Sequence, residues 1–337
     1  MNGRSTGRGR PTLEQVASHA GVSRASVSRV INGTPTVAPH IREVVLRSVH
    51  ELGYVPNPAA RSLVTHRTDS FALVVPEPAT RVFSDDQFFL ILIRGVSEAL
   101  EAADKQLVLM LATSETSRQR IERYALGGHV DGVMIASLHG ADPLPTTLAA
   151  AGVPVVVNGR PLGRQAVPYV DVDHAEGVAG AVRHLIDRGR QRIATIAGPQ
   201  DMVAGIERLA GYRSALGARP GIVAAGEFTR ESGVVAMRRL LAEAPDLDAV
   251  FAASDLMAEG ALRELRRAGR RVPDDVAVIG FDDIEMARFA DPPLTTVRQP
   301  ILDIGRSLVR LLLAQAAGER IPPALVLPTE LVLRESA

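Results

Sequence analysis

Residues 12–63 read TLEQVASHAGVSRASVSRVINGTPTVAPHIREVVLRSVHELGYVPNPAARSL, and this stretch decides how the chain is organised. Thr12 followed by Gln15 has the spacing of a capping box and predicts a helix start. Leu13, Val16, Ala17 and Ala20 then recur at helical spacing and define one apolar face. Gly21 supplies a tight turn, Val22 plugs the angle between helices, and Ser23 caps a second helix. That helix carries Val27, Val30 and Ile31 inward and turns Arg24, Ala25, Ser28 and Arg29 elsewhere. Two short helices about a glycine-containing turn predict a helix-turn-helix unit, whose second helix lies in the major groove of DNA. A third helix opens at Pro39 and closes at Gly53, and its Ile41, Val44, Val45, Val49 and Leu52 are expected to complete a three-helix core.

Charge supports this division. The 337 residues carry no net charge, which alone argues against a nucleic-acid partner. Residues 1–68, however, hold nine arginines against three glutamates, a net +6, so the remainder carries −6. A basic head on an acidic body is the electrostatic footprint of a DNA-binding module with a separate regulatory body. There is no cysteine, which excludes disulfides, thiolate metal sites and cysteine nucleophiles. The first residues are rich in Gly and Arg without an apolar stretch, and no apolar run is long enough to span a bilayer, so a cytoplasmic protein with no membrane association is expected.

From Asp69 onward the pattern alternates between strand and helix. Short apolar strands are predicted at 71–75, 107–112, 132–137 and 153–158, with helices at 87–103, 117–126 and 144–150 between them. The rhythm restarts with a helix at 174–187, strands at 193–197, 222–224, 249–253 and 276–281, and helices at 206–216, 233–242 and 256–268. A long helix at 301–316 and strands at 324–327 and 331–333 finish the chain. This predicts an α/β body of parallel sheets covered on both faces, in two similar halves with a cleft between them.

The string VASHAGVSRASVSRVINGTPTV followed by ELGYVPNPAARSL resembles the LacI/GalR family of bacterial transcription regulators. The body is similar to that family's periplasmic-binding-protein-like core through VPVV (153–156), IAGP (196–199), RLAGY (208–212), ASDLMA (253–258), GFDD (280–283) and PLTTVRQP (293–300). The resemblance implies an all-α headpiece at 11–56 after a disordered basic arm at 1–10, then a hinge helix and linker at 57–68. The effector core would occupy 69–337, with a first subdomain at 69–170 and 300–326 and a second at 171–299 and 327–337. It implies a homodimer on a palindromic double-stranded operator, its affinity set by a small molecule that is a sugar for most members. No cofactor or metal is implied.

Residue by residue, the resemblance places DNA contacts at Thr12, Ser23, Arg24, Ala25, Ser28, Arg29 and Asn32, and in the hinge at Asn57, Ala60, Arg61 and Leu63. Leu63 matches an apolar wedge that enters the minor groove and kinks the duplex. In the core, Arg208 matches an effector-contacting arginine and Asp255 an aspartate that binds ligand hydroxyls. An Arg fork with a carboxylate suits vicinal hydroxyls. Asp255 reads as well as a helix cap, and Arg208 as an exposed helix residue. Ligands of open α/β sheets sit beyond the carboxyl ends of strands, which nominates Pro76, Glu77, Thr113, Ser137, Asn158, Arg160, Ser254 and Asp282 beside Asp255. Gln299 falls at a crossing between subdomains, and Phe88, Phe89 and Phe228 are candidates for stacking on a sugar ring or for the core. Three features depart from the family: Ser254 stands where Asn is common, the chain has no Trp, and Asp85-Asp86 replaces an Asn-Pro approach to the first core helix.

An α/β enzyme with an accessory DNA-binding head is the alternative reading. The sole lysine, Lys105, lies outside any Gly-rich loop, which excludes a Walker-A phosphate site. Gly3–Gly7 matches a nucleophile elbow in form but lacks the strand and helix that pattern needs. His129, His139, His174 and His184 show no metal-ligand spacing.

Overall fold

A computed structural model describes residues 11–31, 36–55, 67–83, 87–163 and 166–337, which fall into two compact units, 1–68 and 69–337. The basic arm and the DNA contacts expected of Asn32, Asn57, Ala60, Arg61 and Leu63 lie outside the described residues, as does Asp85-Asp86.

The first unit is helical. In α1 (Leu13–Ala20) the capping box forms: the Gln15 amide donates to Thr12 Oγ1 at 3.3 Å, and the Thr12 amide donates to Gln15 Oε1 at 2.8 Å. Ser23 Oγ accepts the Ser26 amide at 3.2 Å at the start of α2 (Arg24–Ile31), and α3 (Pro39–Leu52) ends on Gly53 in the left-handed region. Val16, Ala17, Ala20, Val27, Val30 and Val45 form the core, with Ile41, Val49 and Leu52 packed against it. The expectation for Val44 is corrected: it is 38% exposed, while Ser48 is 3% exposed. With about 100° between successive helix residues, Val45 at the centre of the stripe turns Val44 away and brings Ser48 in. Buried Ser48 is satisfied by the Val44 carbonyl at 2.9 Å and His19 Nδ1 at 3.1 Å.

The second unit holds two six-stranded sheets. The first, in the order β11-β5-β4-β3-β1-β2, is parallel throughout. Its strands are β1 (Ser70–Val75), β2 (Gln106–Leu111), β3 (Gly132–Ile135), β4 (Val155–Asn158), β5 (Tyr169–Val172) and β11 (Ala324–Leu327). Between them lie α4 (Ala79–Val82), α5 (Gln87–Ala102), α6 (Glu115–Leu126) and α7 (Leu144–Ala150), and α13 (Ile301–Ala316) returns to this sheet.

The second sheet runs β12-β10-β9-β8-β6-β7. It contains β6 (Ile193–Ala197), β7 (Ile222–Ala225), β8 (Ala249–Ala252), β9 (Ala277–Asp282), β10 (Thr295–Arg298) and β12 (Glu330–Val332). Its helices are α8 (His174–Asp187), α9 (Val203–Leu216), α10 (Arg230–Glu243), α11 (Asp255–Arg267) and the short α12 (Met286–Phe289). The edge strand β12 runs antiparallel to β10, because the chain passes from the carboxyl end of β11 straight into the carboxyl edge of the second sheet without a crossover helix.

The chain passes between sheets after β5, after β10 and after β11. The first sheet keeps β5 through Val172 and β11 through Leu327, slightly beyond the expected limits of 170 and 326. Neither β5 (YVDV) nor β10 (TTVR) was expected as a strand, since their polar residues interrupt the apolar run that marks a buried strand. No helix among the described residues is long and apolar enough to cross a membrane.

Candidate functional site

The carboxyl ends of both sheets face one cleft. Asn158 at the end of β4, with Ser137 and Arg160 in the loops after β3 and β4, forms one wall; the other carries Arg208 from α9, Ser254 before α11 and Asp282 from the end of β9. Phe88 and Phe89 from α5 enter from the first subdomain, edge to face at 5.4 Å, and Phe228 enters from the second. Ser137, Phe228 and Asp282 all adopt positive φ, at 58°, 57° and 118°. Non-glycine residues in that region are strained and cluster at ligand sites.

Arg208 is 5% exposed. Its Nη1 donates to the Ala253 carbonyl at 2.6 Å and lies 3.5 Å from Asp282 Oδ1, and its Nε donates to His174 Nδ1 at 3.3 Å. The guanidinium carbon sits 3.7 Å from the centre of the Phe281 ring, with Phe228 at 5.4 Å. Among the described residues Nη2 has no hydrogen-bond partner, and the residue lines the cleft. Burial lowers the Arg208 pKa, opposed by the charges of Asp282, Asp171 and Asp255. Asp282 Oδ1 in turn accepts from Gln299 Nε2 at 2.5 Å.

Of the expected effector residues, the structure brings Arg208, Asp282, Phe88, Asn158, Phe228 and Gln299 to the cleft wall. Asp255 does not line this cleft. It is fully buried, its Oδ2 accepting the Ile284 amide at 2.9 Å and its Oδ1 the Thr296 hydroxyl at 2.5 Å. The turn into α11 presents Ser254 to the cleft instead, and Ser254 also caps the helix by accepting the Met257 amide. Burial and the neighbouring Asp282 charge push the Asp255 pKa well above its usual value. Pro76 and Thr113 do not line the cleft. Asp171, His174 and Arg81 do line it and were not anticipated; Asp171 and His174 stand three apart where β5 meets α8.

Among the described residues, the contacts that join the subdomains across the cleft include His139 with Asp201, the Gly140 amide with the Asp201 carbonyl at 2.8 Å, Arg160 with Glu207, and the Glu285 amide with Gln87 Oε1. His139 is held between two carboxylates, Nδ1 at 2.9 Å from Asp201 and Nε2 at 3.1 Å from Glu77. Both ring nitrogens must then donate, which suits the imidazolium. The Glu77 hydrogen bond raises the His139 pKa above 6.5 against burial, with help from Asp201. Burial would raise the Glu77 carboxyl, but His139, Ser137 and Arg81 outweigh it and hold the carboxyl low. A raised histidine pKa contributes stability that is whole below the unfolded value of 6.5 and fades as pH climbs through the folded value. Urea unfolding at about pH 6 and about pH 8.5 is therefore expected to show the core losing stability at the higher pH, with the difference reduced in His139→Gln. An undiminished pH dependence in that variant would assign the effect elsewhere.

In the first unit, Ser23, Arg24, Ala25 and Arg29 of the second helix and its cap are exposed, as is Thr12, and Ser28 is half-buried. Arg24 Nη1 lies 3.1 Å from Glu14 Oε1, both side chains being largely exposed. Such a surface pair is worth little and can be exchanged for a phosphate or a base edge.

Residues 12–57 match the lacI family of bacterial regulatory proteins, and residues 182–337 match the periplasmic binding protein-like domain. The regulator CelR of Thermobifida fusca is 54% identical over 337 residues, covering 98% of this chain and 99% of that protein. The catabolite control protein A of Priestia megaterium is 31% identical, covering 96% and 98%. Among solved structures, the CelR–cellobiose complex superposes with a TM-score of 0.77 at 52% identity, covering 97% of this chain and 100% of that one. The Lac repressor dimer bound to operator and the anti-inducer ONPF does so with a TM-score of 0.85 at 27% identity, covering 97% and 99%. These relatives are regulators, and the enzyme reading finds no support among them. The chain belongs to the LacI family of bacterial transcription regulators.

Proposed function

We propose that this regulator is a cytoplasmic homodimeric repressor that releases a palindromic operator when a β-linked glucose disaccharide, of which cellobiose is the type, fills the core cleft. The observation that carries this reading is the pairing of the Arg208 fork and Asp282 with the Phe88 and Phe228 rings in one cleft. Charged groups orient sugar hydroxyls through strong hydrogen bonds, and aromatic faces cover the apolar faces of pyranose rings. The regulator CelR, captured with cellobiose, is the relative whose cleft this one is expected to match. Effector binding shifts the population of subdomain arrangements and so changes the affinity for the operator. Calorimetric titration of the full-length protein tests the effector assignment. One cellobiose per chain is expected, with no saturable heat from the α-linked isomer maltose; the absence of saturable heat from cellobiose overturns it.

A further inference from the structure

Arg208 does not hold its own position. Its Nε–H points at His174 Nδ1, 3.3 Å away, so that nitrogen must be an acceptor. The opposite ring nitrogen, Nε2, lies 3.0 Å from Asp171 Oδ1 and must be the one that carries hydrogen. The tautomer is thereby fixed, and the ring is neutral. His174 is 4% exposed, beside Phe281 at 5.7 Å between ring centres. Burial, then the Arg208 charge, lowers its pKa, outweighing Asp171 and Asp173. Asp171 is also held by the main chain: Oδ2 accepts the Arg160 amide at 2.9 Å, and Oδ1, the oxygen that faces His174, accepts the Val172 amide at 2.8 Å. The Arg160 amide belongs to the loop after β4 in the first subdomain, whereas His174 opens α8 and Arg208 sits in α9 of the second.

We propose that His174 is a positioning residue, which holds the Arg208 fork in its ligand-binding orientation and ties it through Asp171 to the first crossing between subdomains. Gln299 on Asp282 makes the matching connection at the second crossing, between β10 and α13. A ligand that draws on Arg208 and Asp282 thus pulls on groups anchored at two of the three chain crossings. This assignment rests on the cleft being the sugar site.

The chemistry of the ring allows a clean dissection. In His174→Asn the side-chain oxygen takes the place of Nδ1 and still accepts from Arg208 Nε, whereas His174→Leu fills similar space and accepts nothing. Cellobiose titration of the full-length protein is expected to show a loss of about ten- to a hundredfold in affinity for His174→Leu, the scale of a hydrogen bond to a charged group. His174→Asn is expected to remain within about threefold of the parent. A second readout needs no sugar: the Arg208 Nε–H resonance, identified by its loss in Arg208→Lys, should exchange slowly with solvent in the parent and in His174→Asn and vanish in His174→Leu. Unchanged affinity in His174→Leu, or equal loss in both variants, overturns the proposal. Should the parent ignore cellobiose, the sugar assignment falls by itself, and the resonance decides: its persistence in His174→Leu overturns the positioning role, and its selective loss upholds it.

Discussion

Arg208→Met is expected to weaken cellobiose binding by at least about a hundredfold while leaving operator affinity without sugar within about threefold. The guanidinium donates to Ala253 and His174 and balances Asp282 in a site closed to water on the protein side. Each hydrogen bond from a charged group to the ligand contributes about 1.5–3 kcal/mol, so two of them account for a factor of that size. Methionine keeps the aliphatic stem but loses the guanidinium stacked on Phe281 and takes the Arg208 cation away from Asp282. Removing one partner of a buried ion pair is destabilising because the other charge remains. The variant should therefore also melt earlier than the parent. Arg208→Lys should rescue little, since a single ammonium cannot reproduce the fork that reaches two acceptors on one side and the cleft on the other. Calorimetry on the three proteins checks the affinities, and full cellobiose affinity in Arg208→Met would remove Arg208 from the site.

Gly260→Val is the change expected to cost most in stability. Helices α10 and α11 meet at Gly233 and Gly260, and a side chain at Gly260 would overlap the Arg230 carbonyl and come within 2.8 Å of the Val234 nitrogen. At Gly233 an added carbon would stand 2.7 Å from Met257 Cα. The obstructing atoms are all backbone, so no rotamer change relieves the overlap and the helices must separate. Overpacking of this kind costs about 3 kcal/mol or more. For a domain of this size that corresponds to a fall of roughly 10 °C in melting temperature. Scanning calorimetry reads it directly. The functional consequence follows from place: α11 begins at the cleft, so a displaced helix moves Ser254 with it. A melting temperature equal to the parent's would show that the helices do not meet on these glycines.

The features that sequence reading reached are those whose chemistry is local. Thr12 and Gln15 form a capping box within one turn, Gly53 ends a helix through its own backbone, and the apolar strands of the core declare themselves by composition. Arg208 and Asp282 reach the cleft from dense motifs, RLAGY (208–212) and GFDD (280–283). The misplacements arose where three-dimensional packing chooses between two readings of equal local merit. Ser254 and Asp255 are adjacent polar residues at a helix start, and only the approach of Ile284 and Thr296 decides that the carboxylate turns into the protein while the hydroxyl faces the cleft. Val44 is a different case: periodicity about Val45 turns it outward and brings Ser48 in, where His19 of another helix bonds the Ser48 hydroxyl. Asp171 and His174 went unnoticed because β5 is short and half polar, so the junction carrying them read as a connection and not as a strand end. The bond that gives His174 its role spans 34 positions of sequence, beyond any periodicity.

The most direct test of the whole account is fluorescence anisotropy of the full-length protein on the DNA upstream of its own gene, with and without saturating cellobiose. Nanomolar, sequence-dependent binding is expected, loosening at least about tenfold when the sugar is added. Operator affinity that is the same with and without saturating cellobiose, or binding no tighter than to random DNA, would contradict it.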